Sequence, residues 1–368
     1  MTPTTEKTDK VTRKLKIGLL LVLSVVGLYY AQALLKPICF GVLLAMLLLP
    51  STKWLESKNL NQYVAAFLSS LAVVIIIGAV GGLLWWQISD LAQDTTNIER
   101  TFNEWKRQGQ RFTYNTFGLN YTEQNEILDE QQSALTSFIP KIMEQSASTA
   151  ARAILVLVYS FLFLTHRQKI KHFVMKISGK GQEDKTKSMI ESANQVSVGY
   201  LTGLLKLIFV MTVLFSVGYW IIGVENPILF AAICGIMELI PFIGNILGTL
   251  VTSIGVIAQG TDTSIIAWVF VVYFIVQFLQ SYVLEPLIVG SQVNVNPLFS
   301  ILALMVGELM WGLSGLVLAI PMLGILKIYF DHSENLKPYG QLIGTDSTKS
   351  PDWIASIKGW FNKKTDTD

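Results

Sequence analysis

The sequence predicts an all-α polytopic membrane protein built partly from broken or re-entrant helical hairpins, with an extracytoplasmic helical hairpin. Three observations carry this. First, 51% of the 368 residues are hydrophobic and only 15% charged, where a soluble domain carries about 25% charged residues; mean hydropathy is +0.48. Second, between Leu207 and Leu326 the only charges are Glu225, Glu238, Asp262, Glu285 and Glu308, with no Lys, Arg or His. Third, bases and acids collect on different loops. The composition excludes intrinsic disorder, a secreted disulfide scaffold and a typical cytosolic enzyme. A net charge of +2 gives no electrostatic support to nucleic-acid binding. Cys39 and Cys234 both sit in apolar runs and read as small core residues, not as a disulfide or a metal site.

A bilayer core of about 30 Å needs about 20 apolar residues as helix. Ile17–Leu35 is the first such run; Lys36-Pro37 breaks it and Ile38–Thr52 follows, so the pair reads as a hairpin with its tip at Lys36-Pro37. A cleaved signal peptide is the alternative for the first run, but no small-x-small cleavage site follows it. Asn59–Ser89 is the third run. Ala153–Thr165 is the fourth, beginning earlier in the small residues Ser146–Ala151.

Positive charge marks the cytoplasmic side. Lys7, Lys10, Arg13, Lys14 and Lys16 precede the first run, Lys53 and Lys58 follow the second, and Arg167, Lys169, Lys171, Lys176, Lys180, Lys185 and Lys187 follow the fourth. The stretch between the third and fourth runs is then outside, and it is rich in acids. Its apolar residues Ile88, Leu91, Thr95, Ile98, Phe102, Trp105, Gly109 and Phe112 alternate at three and four. That is heptad spacing, so the third span is expected to continue outward as one helix. Leu128, Gln131, Leu135, Phe138 and Ile142 repeat the spacing on the way back. The hairpin either packs only on itself or also meets neighbouring subunits. Inside, Ile170, Phe173, Val174 and Ile177 share a face, as do Trp353, Ile354, Ile357, Trp360 and Phe361 in the tail; both suit helices lying on the anionic leaflet.

Gly and Pro concentrate between Gly199 and Pro321. Broken backbone is tolerated in a membrane only inside protein or beside a water-filled cavity, where many transporters bind substrate. Pro227–Met237 and Ile246–Gln259 are each too short to span, so with Pro241, Gly244 and Asn245 between them they read as a re-entrant hairpin. Gly244 and Gly248 also form a small-xxx-small pair, for which close helix packing is the plainer account. Glu285-Pro286, with Gly290, Asn294, Asn296 and Pro297 after it, closes a span that starts near Ser264. A second hairpin, turning near Trp311–Gly315, fits the interval from Pro297 to Leu326.

Ile240-Pro241-Phe242-Ile243-Gly244, Glu285-Pro286 with Gly290 and Pro297, and Trp311-Gly312-Leu313-Ser314-Gly315 with Ala319-Ile320-Pro321 resemble the AI-2E family of bacterial membrane proteins, also described as PerM-like or autoinducer-2 exporter-like. Gln195, Gly199 and Tyr200 fit the same pattern, as does the opening hairpin that ends in Pro50 and Trp54-Leu55. The resemblance implies about eight membrane segments, a homo-oligomer of pentameric type, and export of a small polar molecule or cation exchange. It departs from the family pattern at Glu238 and Glu308, where neutral residues are common, which leaves exporter and cation/proton antiporter both open.

Glu238, Glu285 and Glu308 have no basic neighbour in sequence, and unpaired intramembrane acids are functional candidates by default. A carboxyl group held away from water can carry a proton at neutral pH and could exchange it for Na⁺ or Li⁺. The plainer account places Glu285 and Glu308 at interfaces or in vestibules. Glu225 and Asp262 read as solvated, and Lys206 as snorkelling to the interface. No G-x-x-x-x-G-K-[ST], H-E-x-x-H or G-x-S-x-G motif occurs, and His166, His172 and His332 are scattered, so no enzyme, no cofactor and no metal site is expected.

The expected organisation is a cytoplasmic arm (1–16), three membrane segments (17–86), the extracytoplasmic hairpin (87–147), a fourth segment (148–165), a basic cytoplasmic loop with an interfacial helix (166–194), a transport half with re-entrant hairpins (195–327) and a cytoplasmic amphipathic tail (328–368). The expected setting is the bacterial inner membrane. The expected partners are the lipid bilayer, further copies of the chain, and a small polar solute or H⁺/Na⁺; nucleic acid is not among them. Within the transport half the hinge candidates are Pro241, Gly244, Gly248, Pro286, Gly290, Pro297, Gly312, Gly315 and Pro321.

Overall fold

The computed structural model describes residues 3–93, 151–178, 181–240, 244–258, 264–288 and 294–345. Its elements are α1 (Pro3–Tyr30), α2 (Gln32–Ser57), α3 (Gln62–Gln93), α4 (Ala151–Ile177), α5 (Glu183–Ile221), α6 (Pro227–Met237), α7 (Gly244–Ala258), α8 (Ser264–Leu279), a π-helical turn (Gln280–Leu284), α9 (Glu285–Ile288), α10 (Pro297–Trp311), α11 (Leu313–His332) and α12 (Lys337–Ile343). Six of these stretches are long and apolar enough to cross a membrane, and α6, α7 and α10 are shorter apolar helices. The all-α polytopic membrane fold is therefore as expected. Among the described residues the one extended contact is an isolated antiparallel bridge between Val295 and Gly344.

The opening pair differs from expectation. The helix breaks at Ala31, and Lys36 and Pro37 lie inside α2. A continuing helix leaves Pro37 with one lost hydrogen bond, whereas a loop there would expose several backbone groups to hydrocarbon. The basic arm is the first part of α1. The third span does run on past Ser89 as helix, to Gln93; the remainder of the expected outer hairpin lies outside the described residues. The interfacial helix expected after the fourth span is not a separate element, because α4 continues unbroken to Ile177. Phe173 and Ile177 remain exposed on it.

Helices α2, α3 and α4 form a scaffold around Ala45, Leu48, Ala66 and Leu164. Its polar groups are paired across the helices: Thr52 Oγ1 donates to Ser69 Oγ (3.1 Å), Gln62 Nε2 donates to the Thr165 carbonyl (2.8 Å), and Arg167 meets Glu56 at 2.5 Å. Elsewhere α1 and α3 carry exposed Leu19, Leu23, Ile75, Ile76 and Ile77. Such surface is stable only against hydrocarbon or another apolar face.

The larger core lies in the second half. Leu207, Met211, Phe215 and Tyr219 recur every fourth residue, which puts them on one face of α5. That face packs on Phe230, Ala231 and Cys234 of α6 and on Val269, Val272 and Val276 of α8. Tyr219, fully buried, keeps a partner for its hydroxyl in Cys234 Sγ at 3.4 Å.

Two hairpins follow from glycine. In the first, α6 and α7 approach so closely that a methyl group on Gly248 would lie 2.7 Å from Cys234 Cα, and one on Gly244 would run into the Met237 carbonyl. In the second, Gly312 holds φ at +62°, a left-handed conformation that side chains resist. It reverses the chain in a single residue between α10 and α11, and Gly307 and Gly315 then pack backbone on backbone. Pro321 lies buried within α11.

Overpacking a tight helix contact costs about 1–3 kcal/mol. Gly248→Leu is therefore expected to lower the melting temperature of the detergent-purified protein. Gly78→Leu is expected to leave it unchanged, since an added side chain there meets nothing within 4 Å. Differential scanning fluorimetry of the two variants measures the contrast.

Candidate functional site

The π-helical turn shapes the site. Pro286 lacks the N–H that would complete an α-helical bond four residues back. One residue earlier, the Glu285 N–H bonds instead to the Gln280 carbonyl, five residues back. This widened turn continues α8 and carries Gln280 and Ser281 toward the α6–α7 tip; Gln277 lies one turn earlier. π-Bulges of this kind recur at functional sites.

There the described residues enclose a chamber of about 560 Å³. Its walls come from α5 (Tyr200, Leu204, Leu207), the hairpin tip (Glu238, Asn245), the π turn and its flanks (Gln277, Gln280, Ser281, Glu285), the start of α10 (Asn294, Val295, Pro297, Ser300, Ile301, Leu304), Ile320 of α11, and Thr345.

A directed chain of hydrogen bonds runs along one wall. Asn245 Nδ2 donates to Gln280 Oε1 at 2.5 Å and to Gln277 Oε1 at 3.1 Å. Gln280 Nε2 in turn donates to Glu238 Oε1 at 2.6 Å, and Gln277 Nε2 donates to Ser281 Oγ at 3.2 Å. Both arms thus start at the Asn245 amide, and one ends on a carboxyl group. Glu238, Asn245 and Gln280 are only 8%, 4% and 6% exposed. Asn245 Oδ1 is buried and has no hydrogen-bond partner, a costly state that calls for a donor or a positive charge.

The residues singled out from the sequence separate here. Glu238, Glu285, Tyr200, Asn245 and Pro297 line the chamber. Glu308 does not; it is exposed on α10. Gln195 is exposed on α5, outside the chamber. Gly244 and Gly248 serve the hairpin contact, and Gly312 and Gly315 the second turn. Pro297 starts α10 behind Asn296, whose side chain accepts the Leu298 N–H at 3.0 Å. Pro286 lies in α9. Pro241 and Gly290 fall outside the described residues. The reading by charge passed over Gln277, Gln280, Ser281, Ser300 and Thr345, and Asn294, noted only beside Gly290, lines the chamber as well. The available signal was three polar residues, Gln277, Gln280 and Ser281, recurring at three and one within an otherwise apolar run. Among the described residues, no group of three or more His, Cys, Asp and Glu side chains could hold a metal ion.

Fold and chamber together define a polytopic membrane protein with a polar cavity between broken helices, the arrangement in which many transporters bind solutes. The chain belongs to the AI-2E transporter family, whose profile it matches over residues 19–335. It is 24% identical over 314 residues to YrrI of Bacillus subtilis, a protein provisionally named a transport protein, covering 80% of this chain and 85% of that one. It is also 24% identical over 327 residues to a sodium-lithium/proton antiporter of Halobacillus andaensis, covering 82% of this chain and 90% of the relative. YueF of Bacillus subtilis, again provisionally named a transport protein, is 22% identical over 316 residues, covering 82% of this chain and 84% of that one.

Removing one partner of a buried hydrogen bond costs about 1–3 kcal/mol because the other is left unsatisfied. Gln280→Leu is expected to destabilise the protein by that much. Glu238→Leu with Gln280→Leu is expected to cost less than the sum of the two single changes. A double-mutant cycle on thermal unfolding reads the coupling.

Proposed function

We propose that the protein is a gradient-driven secondary transporter that exports a small polar solute such as autoinducer-2 through the chamber between α5, the α6–α7 tip and the π turn. The observation that carries this is the chamber itself: about 560 Å³ of space, apolar over much of its lining and with a wall of amides, hydroxyls and two carboxyl groups, among helices apolar enough to span a membrane. That volume lies within the range of about 300–1,000 Å³ in which small-molecule sites fall. The protein is read as resident in the bacterial inner membrane with both termini cytoplasmic, following its basic loops, and as a homo-oligomer, pentameric by family resemblance.

On this reading the amides Gln277 and Asn245 and the hydroxyls of Ser281 and Ser300 bind and orient the solute by hydrogen bonds. The glycine-tight hairpin supplies a rigid wall, and the chamber opens alternately to the two sides. Glu238 supplies the coupling. With its carboxylate ionised it accepts from Gln280 Nε2. With a proton added, its hydroxyl becomes a donor for which Gln280 Oε1, already accepting from Asn245, has a second lone pair. Protonation thereby changes the Gln280 amide that links Glu238 to Asn245, and the change passes along the chain to the solute-facing amide.

A second reading is Na⁺(Li⁺)/H⁺ antiport. It is favoured by the cluster of side-chain oxygens around Asn245, namely its own unpartnered Oδ1 with Gln277 Oε1 and Gln280 Oε1 and the nearby Glu238 carboxylate. Hard cations are held by such oxygen donors, and one relative bears the antiporter name. A non-transporting oligomeric scaffold is the third outcome.

Everted vesicles separate them. Antiport predicts that an imposed pH gradient dissipates when Na⁺ or Li⁺ is added and that Glu238→Gln abolishes the response while Glu308→Gln retains it. Export predicts solute retention in a deletion strain, relieved by the wild-type chain and not by Glu238→Gln. A protein that shows neither effect at any pH is a scaffold, and both transport readings fall.

A further inference from the structure

We propose that residues 337–345 form a strap that closes one mouth of the chamber and must detach for that side to open. The proposal rests on the reading of the chamber as the transport path and adds its gate. Helix α12 follows α11 after a short turn and folds back onto it. Its end pairs with the segment just before α10. Asn296 N–H donates to the Ile343 carbonyl at 2.8 Å, and Thr345 N–H donates to the Asn294 carbonyl at 3.3 Å. Val295 and Gly344 are the bridged pair between these bonds. Both partners of this pairing reach the cavity: Asn294 and Val295 line it from one side and Thr345 from the other. A segment from the far end of the chain thus completes a wall that α5–α11 leave unfinished.

The fastening is tight in packing but small in extent. Ile343 and Gly340 are buried, and a methyl group on Gly340 would collide with the Asp331 carboxyl, which Lys327 holds at 2.6 Å. The turn before α12 is tied to the first turn of α5 by Lys185–Glu334 at 2.8 Å. That pair is exposed, with Lys185 at the polar start of α5 and Glu334 in the turn after α11, and the Lys185 hydrogen bond holds the Glu334 carboxyl below the usual carboxylate range. Exposed pairs contribute little, so the pairing with the segment before α10 rests on two backbone hydrogen bonds, while the buried Ile343 and Gly340 and the Phe330–Tyr339 ring contact hold α12 on α11. This is the scale of contact that local opening breaks without global unfolding. The basic loops place this mouth on the cytoplasmic side.

The test uses the full chain in inside-out vesicles with Ser300→Cys as reporter, labelled by a membrane-impermeant maleimide; vesicles without that substitution give the background from Cys39 and Cys234. Thr345→Pro removes the N–H that bonds Asn294, and Thr345→Val keeps it. Labelling is expected to run about fivefold faster in Thr345→Pro, the factor that one backbone hydrogen bond of about 1 kcal/mol is worth, and unchanged in Thr345→Val. Val295 and Gly344 face each other as a non-hydrogen-bonded pair, whose Cα atoms approach to about 4.5 Å, close enough for a disulfide. Val295→Cys with Gly344→Cys is expected to cross-link on oxidation, to slow Ser300→Cys labelling, and to release it on reduction, each rate taken after subtracting the labelling of the same cysteine pair without Ser300→Cys. Equal rates in the oxidised and reduced protein, failure of the pair to cross-link in folded protein, or equal rates in Thr345→Pro and Thr345→Val would overturn the strap. Labelling needs no transported solute, so a negative flux assay with positive labelling overturns the transport reading alone.

Discussion

The structure of the second half depends on how closely two short helices can approach. Neither α6 nor α7 is long enough to cross a bilayer alone. Glycine at positions 244 and 248 lets the α7 backbone lie against Met237 and Cys234. That contact turns two inadequate helices into one packed unit, which α5 and α8 then enclose through a face of residues spaced by four. Membrane helices gain little from apolar burial against one another, so backbone proximity and dispersion have to do the holding. Glu238 and Asn245, on the two sides of this contact, are held where they meet the side chains of the π turn.

The second constraint is the missing N–H of Pro286. A proline in an ordinary span would leave a carbonyl without its partner. Here the ladder shifts to a bond five residues long at Gln280, and the turn widens. The two devices act on the same space from opposite walls. Glycine brings one wall in; proline re-aims the other. The chamber is what lies between them.

Much of this was legible in the sequence, and the physics explains which part. Charge-free runs locate spans because ions are excluded from hydrocarbon. Short apolar runs joined by Pro and Gly mark hairpins because backbone must be satisfied locally, and both the 238–244 and the 312 reversals lie where that argument puts them. The break at Ala31 was not legible, since neither a loop residue nor a charge marks it; Lys36-Pro37, the visible signal, is accommodated inside α2. Nor was the membership of the chamber. Glu238 and Glu308 look alike as unpaired acids in apolar stretches, yet one is buried beside Gln280 and the other faces outward from α10. Which face of a helix meets a cavity is set by neighbours distant in sequence. Thr345 is the extreme case: a tail that reads as amphipathic supplies a wall.

The direction of the hydrogen bonds narrows what the chamber can accept. Asn245 spends both amide protons on Gln277 and Gln280, and its Oδ1 stays buried and unpartnered. A ligand that satisfies this oxygen must bring a donor or a positive charge; a purely apolar molecule leaves the cost in place. A hydroxyl-rich solute and a dehydrated cation both qualify, but they act differently on Glu238. A neutral solute can donate to Oδ1 while the Gln280–Glu238 bond persists. A cation drawn into the same oxygens competes with a proton on Glu238, because both carry the positive charge that the site holds once. The two transport readings thus differ in what fills the oxygens around Asn245: a solute donor that leaves the Gln280–Glu238 bond in place, or a cation that competes with a proton for the Glu238 carboxylate.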